Sequence, residues 1–310
     1  MPASRSQRPE GLRDRLVLTE RDLALLAAID HHRYARTDHL KALFFRGTSL
    51  RCAQLRLQKL WRHRYLDRVH LAAVVDAERR PPRGAGTPIY TLGRLGEVAL
   101  RGTLGESAPQ RELASPVNVQ HHLVVTDFMV SLAVSASARP DLELAEAVHE
   151  WDLWRRLKAC ASSKASKDAV VPDGAATISR GGAAPGETFY LEVVRAGVRA
   201  GNGALWDKML RYSELNHQGA FRDLYGHARV RAVLIATTTH ERAEHFRSLA
   251  KSLPHGRKLF AFGAYEDRDA EGRAKPRFTP ARLLDLDWTT VEGETLRLGE
   301  GSLRPRSPAI

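Results

Sequence analysis

The sequence predicts an α/β protein in two parts: a small, basic helix-turn-helix unit with a β-wing, then a larger domain around a mixed sheet. Three observations predict it. Positive charge is concentrated at one end, the first hundred residues follow a helix-helix-helix-strand-turn-strand-helix pattern, and the remainder alternates strands with helices. The chain holds 48 Lys+Arg and 36 Asp+Glu in 310 residues. Residues 1–104 carry 20 of the basic and 10 of the acidic groups, a balance of +10. The rest carry 48 − 20 = 28 and 36 − 10 = 26, a balance of only +2. Such asymmetry joins a binding module for a polyanion to a nearly neutral domain.

Residues 1–16 form a basic arm expected to be disordered, without the apolar run of a secretory signal. Leu18-Thr19-Glu20-Arg21-Asp22 reads as a helix start, with Thr19 as N-cap and Asp22 closing a capping box. Leu23, Leu26, Ala27 and Ile29 follow at helical spacing. A second cap, Thr37, opens a short helix through Leu40, Leu43 and Phe44. Arg46-Gly47-Thr48 is a turn, and Ser49 starts a third helix reaching about His63. An apolar strand over 69–75, a Pro/Gly-rich charged tip and a return strand over 88–92 make the wing. A helix over 94–101 closes this unit, which spans 17–104.

Residues 105–116 are read as a linker, 117–265 as the α/β domain and 266–310 as a C-terminal extension. Within the domain, 117–136 is a helix, and 142–148, 170–179 and 188–194 are strands, the last two joined by a hairpin at Arg180-Gly181-Gly182. Helices at 205–215 and 240–253 alternate with strands at 230–237 and 257–262. Trp151 and Trp154, three apart, are expected in the core. No stretch approaches the ~20 continuous apolar residues of a membrane span. Cys52 and Cys160 belong to no CxxC pair, which argues against a disulfide scaffold or structural zinc and for a cytoplasmic setting.

In the third helix Ala53, Leu57 and Leu60 share one face. The other face offers Ser49, Arg51, Gln54, Gln58 and Arg62. Arg and Gln suit bidentate contacts with guanine and adenine, which is what a recognition helix needs in the major groove. Arg79, Arg80 and Arg83 at the wing tip are placed to meet phosphates or the minor groove. Leu55 falls on the polar side, where the DNA reading gives it no role.

In the second domain Val171-Pro172-Asp173-Gly174 and Phe189-Tyr190-Leu191-Glu192-Val193-Val194 bring two carboxylates toward one sheet edge. Asp173 and Glu192 in that relation suit Mg²⁺, with its preference for oxygen ligands. The lysine that usually completes such a set, two residues after the second acid, is replaced by Val194. Lys208, on the helix Trp206-Asp207-Lys208-Met209-Leu210-Arg211-Tyr212, is the candidate to reach the same edge, and Asp127 is a further acid. The bland alternatives stand beside these: Asp173 as a turn residue between Pro and Gly, and Glu192 in a structural salt bridge with Arg195 or Lys208.

The order of LTERDLALL, IYTLGRLGEVAL, HHLVVTDF, VPDG, FYLEVVRAG and WDKMLRYSEL along one chain resembles the replication-relaxation proteins of bacterial plasmids and mobile elements. The resemblance covers roughly residues 17–250. It implies a winged helix followed by a domain similar to the PD-(D/E)XK nuclease fold, with a role in initiating or controlling replication. By position, Asp173 and Glu192 match the family's two acids, and Lys208 and Tyr212 its Lys-and-Tyr helix; Val194 departs from the pattern.

Three functions follow. The first is a duplex DNA-binding protein of bacterial plasmid replication or transcription control, cytoplasmic and nucleoid- or plasmid-associated. Its second domain is then a non-catalytic scaffold without a cofactor, and its other partners are a second copy of the chain and replication or mobilisation proteins. The second is a Mg²⁺-dependent DNA endonuclease with Asp173, Glu192 and Lys208 catalytic. The third is a protein-interaction adaptor.

Overall fold

The computed structural model describes residues 4–5, 16–70, 88–104, 115–160, 169–181, 186–195, 202–268, 274–300 and 303–304. The chain divides into two compact units, Met1–Thr126 and Asp127–Ile310. The wing tip, with Arg79, Arg80 and Arg83, and residues 105–114 of the expected linker lie outside the described residues.

In the first unit, strand β1 (Ser4–Arg5) precedes helix α1 (Glu20–His32). Thr19 caps α1, and Asp22 returns the bond to the Thr19 N–H at 2.8 Å, completing the capping box. Strand β2 (Ala35–Arg36) leads into α2 (Thr37–Phe44). The N-cap of α2 is Arg36 rather than Thr37; Thr37 is the first helical residue and is buried. After the turn at Gly47 (φ +73°), Ser49 caps α3 (Leu50–Arg62). Strands β3 (Leu66–His70) and β4 (Ile89–Leu92) pair antiparallel, and α4 (Arg94–Leu104) closes the unit. The sheet order is β1-β3-β4-β2. Leu25, Leu26, Ile29, Leu40, Ala53, Leu57, Leu60, Trp61 and Tyr90 belong to one core cluster of these elements.

The segment just past α3 is joined to the start of α4 by backbone hydrogen bonds. Gly93 N–H donates to Tyr65 O at 2.9 Å and Leu95 N–H to Arg64 O at 3.0 Å. A Cβ on Gly93 would stand 2.6 Å from Arg64 O, and one on Gly96 would run into Tyr65 O. Both positions need glycine because the chains approach so closely.

Helix α5 (Pro116–Ser137) crosses the division between the units. Its early residues Val119 and Leu123 join Tyr34, Val69 and Ile89 in a small cluster of the first unit. The second unit is built from β5 (Leu142–His149), α6 (Glu150–Ala159), β6 (Gly174–Arg180), β7 (Glu187–Val194) and α7 (Asn202–His217). It continues with α8 (Phe221–Tyr225), β8 (Val230–Thr237), α9 (His240–Ala250) and β9 (Phe260–Ala264). Strands β5, β6 and β7 form an antiparallel meander; β8 and β9 then run parallel to β7. A side hairpin, β10 (Glu266–Arg268) with β11 (Ala274–Pro276), stands apart. Strands β12 (Trp288–Thr290), β13 (Thr295–Leu296) and β14 (Leu303–Arg304) continue the main sheet beyond β9. The segment read from sequence as an extension is therefore part of the sheet.

Alternation along the strands decides which side chains meet the helices. Tyr190, Val233, Ile235, Phe260 and Phe262 face a cluster with Leu153 of α6, Met209 and Tyr212 of α7, Phe221 of α8 and Phe246 of α9. Phe128 of α5 packs edge-on to Phe278, ring centroids 5.4 Å apart. Helix α6 was not expected, and it overturns the placement of Trp154. Leu153 and Leu157 are the buried pair, whereas Trp154 is 48% exposed. The expected strand over 257–262 begins as a 3₁₀ turn (Arg257–Leu259).

Candidate functional site

Glu192 lies on β7 with the same parity as Tyr190, so the pleat turns it toward the helices. It is 3% exposed. Lys208 and Tyr212, four apart on α7, project from one face of that helix and both reach it. Lys208 Nζ donates to Glu192 Oε2, and the Tyr212 hydroxyl donates to Glu192 Oε1. Asp173 immediately precedes β6, whose first residue pairs with Leu191. Its N–H donates to Leu191 O at 3.0 Å, and its Oδ2 accepts the Val193 N–H at 2.7 Å. The Pro-Asp turn is thus clipped to the strand that carries Glu192. Asp173, Glu192 and Lys208, expected from the sequence at one sheet edge, come together in the fold.

The electrostatics follow from burial. Removal from water pushes the Glu192 carboxyl up to about 7, the nearby Asp173 charge adds to the rise, and Lys208 and Tyr212 oppose it. For Lys208, burial works against the ammonium, but the Glu192 and Asp173 carboxylates outweigh it and its pKa is raised. Burial, then the Glu192 charge, holds the Tyr212 hydroxyl well above its ordinary range. The lysine is therefore charged throughout the neutral range, while Glu192 changes charge near neutrality.

A fifth group, which sequence reasoning missed, is Glu150. Its N–H donates to Asp173 O at 3.1 Å, and its charge acts on Lys208. It opens α6, a helix whose short apolar pattern was not recognised. Asp127, the other acid considered, is half-buried on α5 and is not among the leading influences on Glu192 or Lys208. Val194 is half-buried at the end of β7.

The two carboxylates have the oxygen chemistry that Mg²⁺ prefers. Each Glu192 oxygen accepts one hydrogen bond, from Lys208 or Tyr212, so a cation there would share the carboxylate with those donors. A second polar network lies on the same sheet. Glu146 Oε2 and His227 Nε2 are 2.8 Å apart, His227 Nδ1 and the Tyr190 hydroxyl 2.9 Å, and Arg156 is ion-paired to Glu146. The hydrogen bond from His227, then that from Arg156, brings the Glu146 carboxyl down to about 2 against the cost of burial.

In the first unit α3 presents the other candidate surface. Arg51, Gln54 and Arg62 are exposed and Gln58 is half-buried. Lys59 is exposed with them. Arg51, Lys59 and Arg62 take part in no ion pair among the described residues. Arg56 does: it lies between faces and holds buried Asp22 of α1, its Nε at 2.8 Å, while donating to Val17 O at 3.2 Å. Ser49 acts as the helix cap, its hydroxyl accepting the Cys52 N–H at 3.3 Å.

These features define a two-part α/β protein: a basic helical unit with a small sheet, and a mixed-sheet unit holding a buried acid–lysine–tyrosine cluster. Among protein-family models, the one for replication-relaxation matches residues 26–230, about two thirds of the chain. The chain belongs to the replication-relaxation family, which points to a role in the replication of plasmids or mobile elements. No curated protein and no solved structure matches it. The described helices include none long and apolar enough to cross a membrane.

Proposed function

We propose that the protein binds duplex DNA through a winged helix-turn-helix in its first unit, in the replication of a plasmid or mobile element. The single observation carrying this reading is the outward side of α3. It bears Arg51, Gln54, Gln58, Lys59 and Arg62 on a helix without one acidic residue, while its inner side packs in the core. Arg and Gln hydrogen-bond to base edges, and Lys and Arg neutralise phosphates. The second unit, an antiparallel meander continued by parallel strands, then serves as a nuclease-like scaffold in which Lys208 and Tyr212 hold Glu192 and the Val193 N–H holds Asp173.

The test is retardation of labelled duplex DNA over a salt series. Affinity should fall steeply as salt rises, and Arg51→Ala or Gln54→Ala should weaken specific binding by about 1–3 kcal/mol. Salt-insensitive association, or both variants binding like wild type, sinks the reading.

The convergence of Asp173, Glu192 and Lys208 favours a second reading, a Mg²⁺-dependent endonuclease. Its test is nicking of supercoiled plasmid with Mg²⁺ or Mn²⁺, wild type beside Glu192→Gln. Cleavage lost in the variant makes the site catalytic; retarded but uncut DNA in both leaves the scaffold.

A further inference from the structure

The residue at the centre of the outward face of α3 is apolar. With 3.6 residues per turn, Leu55 lies roughly 180° around the helix from the mean direction of the buried Ala53, Leu57, Leu60 and Trp61. Around it stand Arg51, Gln58, Lys59 and Arg62. Leu55 is 42% exposed, and it joins no core cluster of the described residues. A large aliphatic side chain held in water at the middle of a cationic surface gains nothing in the isolated fold. What sets Leu55 apart from the other exposed apolar side chains is its place inside a ring of positive charge, which favours approach to a polyanion.

The major groove offers one apolar group amid phosphates and polar base edges, the 5-methyl of thymine. We infer that Leu55 reads a thymine methyl group, making it a specificity-determining residue between the hydrogen-bonding Arg51 and Gln58. The inference rests on the DNA-binding reading and goes beyond it, because it names the base feature selected at the centre of the site. The helix is held rigidly enough to select. Ser49 caps it at one end, the Arg56–Asp22 ion pair ties its middle to α1, and the Tyr65–Gly93 backbone bond fixes the chain just past its other end.

The experiment uses the full chain and a duplex library with a randomised 20-base-pair centre. Sequences retained by the wild type are enriched, and binding is then measured with each thymine replaced in turn by uracil, which removes only the methyl group. One position should lose about four-fold in affinity, the worth of one methyl group taken out of water. In Leu55→Ala, whose exposed position leaves the core intact, that uracil penalty should vanish while preferences at other positions persist. Leu55→Gln should shift the same position toward adenine.

The inference is overturned if no uracil replacement matters, or if the penalty survives in Leu55→Ala. It is also overturned if Leu55→Ala weakens every sequence equally or disrupts a dimer instead. Failure of the library to yield any bound duplex is a different result: it removes the DNA-binding reading itself, and the role of Leu55 with it.

Discussion

The outward face of α3 and the Glu192 cluster use the same kinds of side chain to opposite ends. On α3, Arg51, Lys59 and Arg62 stand at the surface with no ion pair among the described residues, so their charge is available to a partner. In the second unit Lys208 is committed to a carboxylate that is 3% exposed. An exposed cation costs the fold little and contributes little to it. A buried pair is different: its Coulombic gain roughly offsets desolvation, but losing one partner strands the other. The difference teaches that charge alone does not mark a functional site; what matters is whether the fold has already consumed it.

The largest test of that contrast is Lys208→Ala. It leaves the Glu192 carboxyl buried without its cation, and the second unit should lose about 3–5 kcal/mol in chemical denaturation. Glu192→Gln, which keeps hydrogen-bonding capacity, should cost clearly less. A Lys208→Ala protein as stable as wild type would mean that the cluster is held in place for chemistry rather than for the fold.

Next in size is Asp22→Ala, which removes both the capping box of α1 and the anchor of Arg56. A cap is worth about 1 kcal/mol, and breaking the buried ion pair adds to it, for a total of about 2–4 kcal/mol. Because Arg56 belongs to α3, the DNA affinity proposed for that helix should fall as well, although Asp22 is itself buried. Retained affinity in a destabilised protein would separate the anchor from the reading surface.

A smaller effect appears with pH. The folded value for Glu192 is raised, from an ordinary 4.5 to about 7. The folded state therefore binds the proton more tightly, and the stability this group contributes is full below about pH 4.5 and is lost as pH rises toward 7. Glu146 is the reverse case, lowered from 4.5 to about 2. Its contribution is present above pH 4.5 and is lost as pH falls toward 2. Denaturation curves across both windows should show two opposed slopes, the first removed by Glu192→Gln and the second by Glu146→Gln. The smallest effect belongs to α3. Arg51→Ala should change stability by no more than about 0.5 kcal/mol, and a larger loss would show that this arginine too is consumed by the fold.

The parts most legible in the sequence were those set by local chemistry. Thr19 with Asp22 and Ser49 before α3 announced their helices, and the Ala53, Leu57 and Leu60 spacing announced a buried face. Asp173 and Glu192 were named because a Pro-Asp turn and a strand Glu can bring two carboxylates to one sheet edge, and Lys208 because the lysine usual at Val194 is missing. What was not legible depends on contacts distant in sequence. Helix α6 was missed because only Leu153 and Leu157 are buried in it, too few to set a period, and with it went Glu150. Trp154 looked like core because tryptophan usually is; its neighbours on α6 supply the buried face instead. Strands β12, β13 and β14 are two or three residues long and acquire their identity only by adding to β9. The His227–Glu146 pairing spans 81 residues, a relation that no spacing rule reaches.

The backbone clasp at Gly93 and Gly96 has a consequence for how such a protein diversifies. It fixes where α3 ends without using any outward side chain of that helix, and Ser49 and Arg56 fix the remainder. The outward positions are therefore a replaceable cassette. Residues 51, 54, 55, 58 and 62 can be exchanged as a set while the frame that aims them stays constant, so under the proposed function new target preferences would need substitution at only a few surface sites, with Gly93 and Gly96 kept for steric reasons.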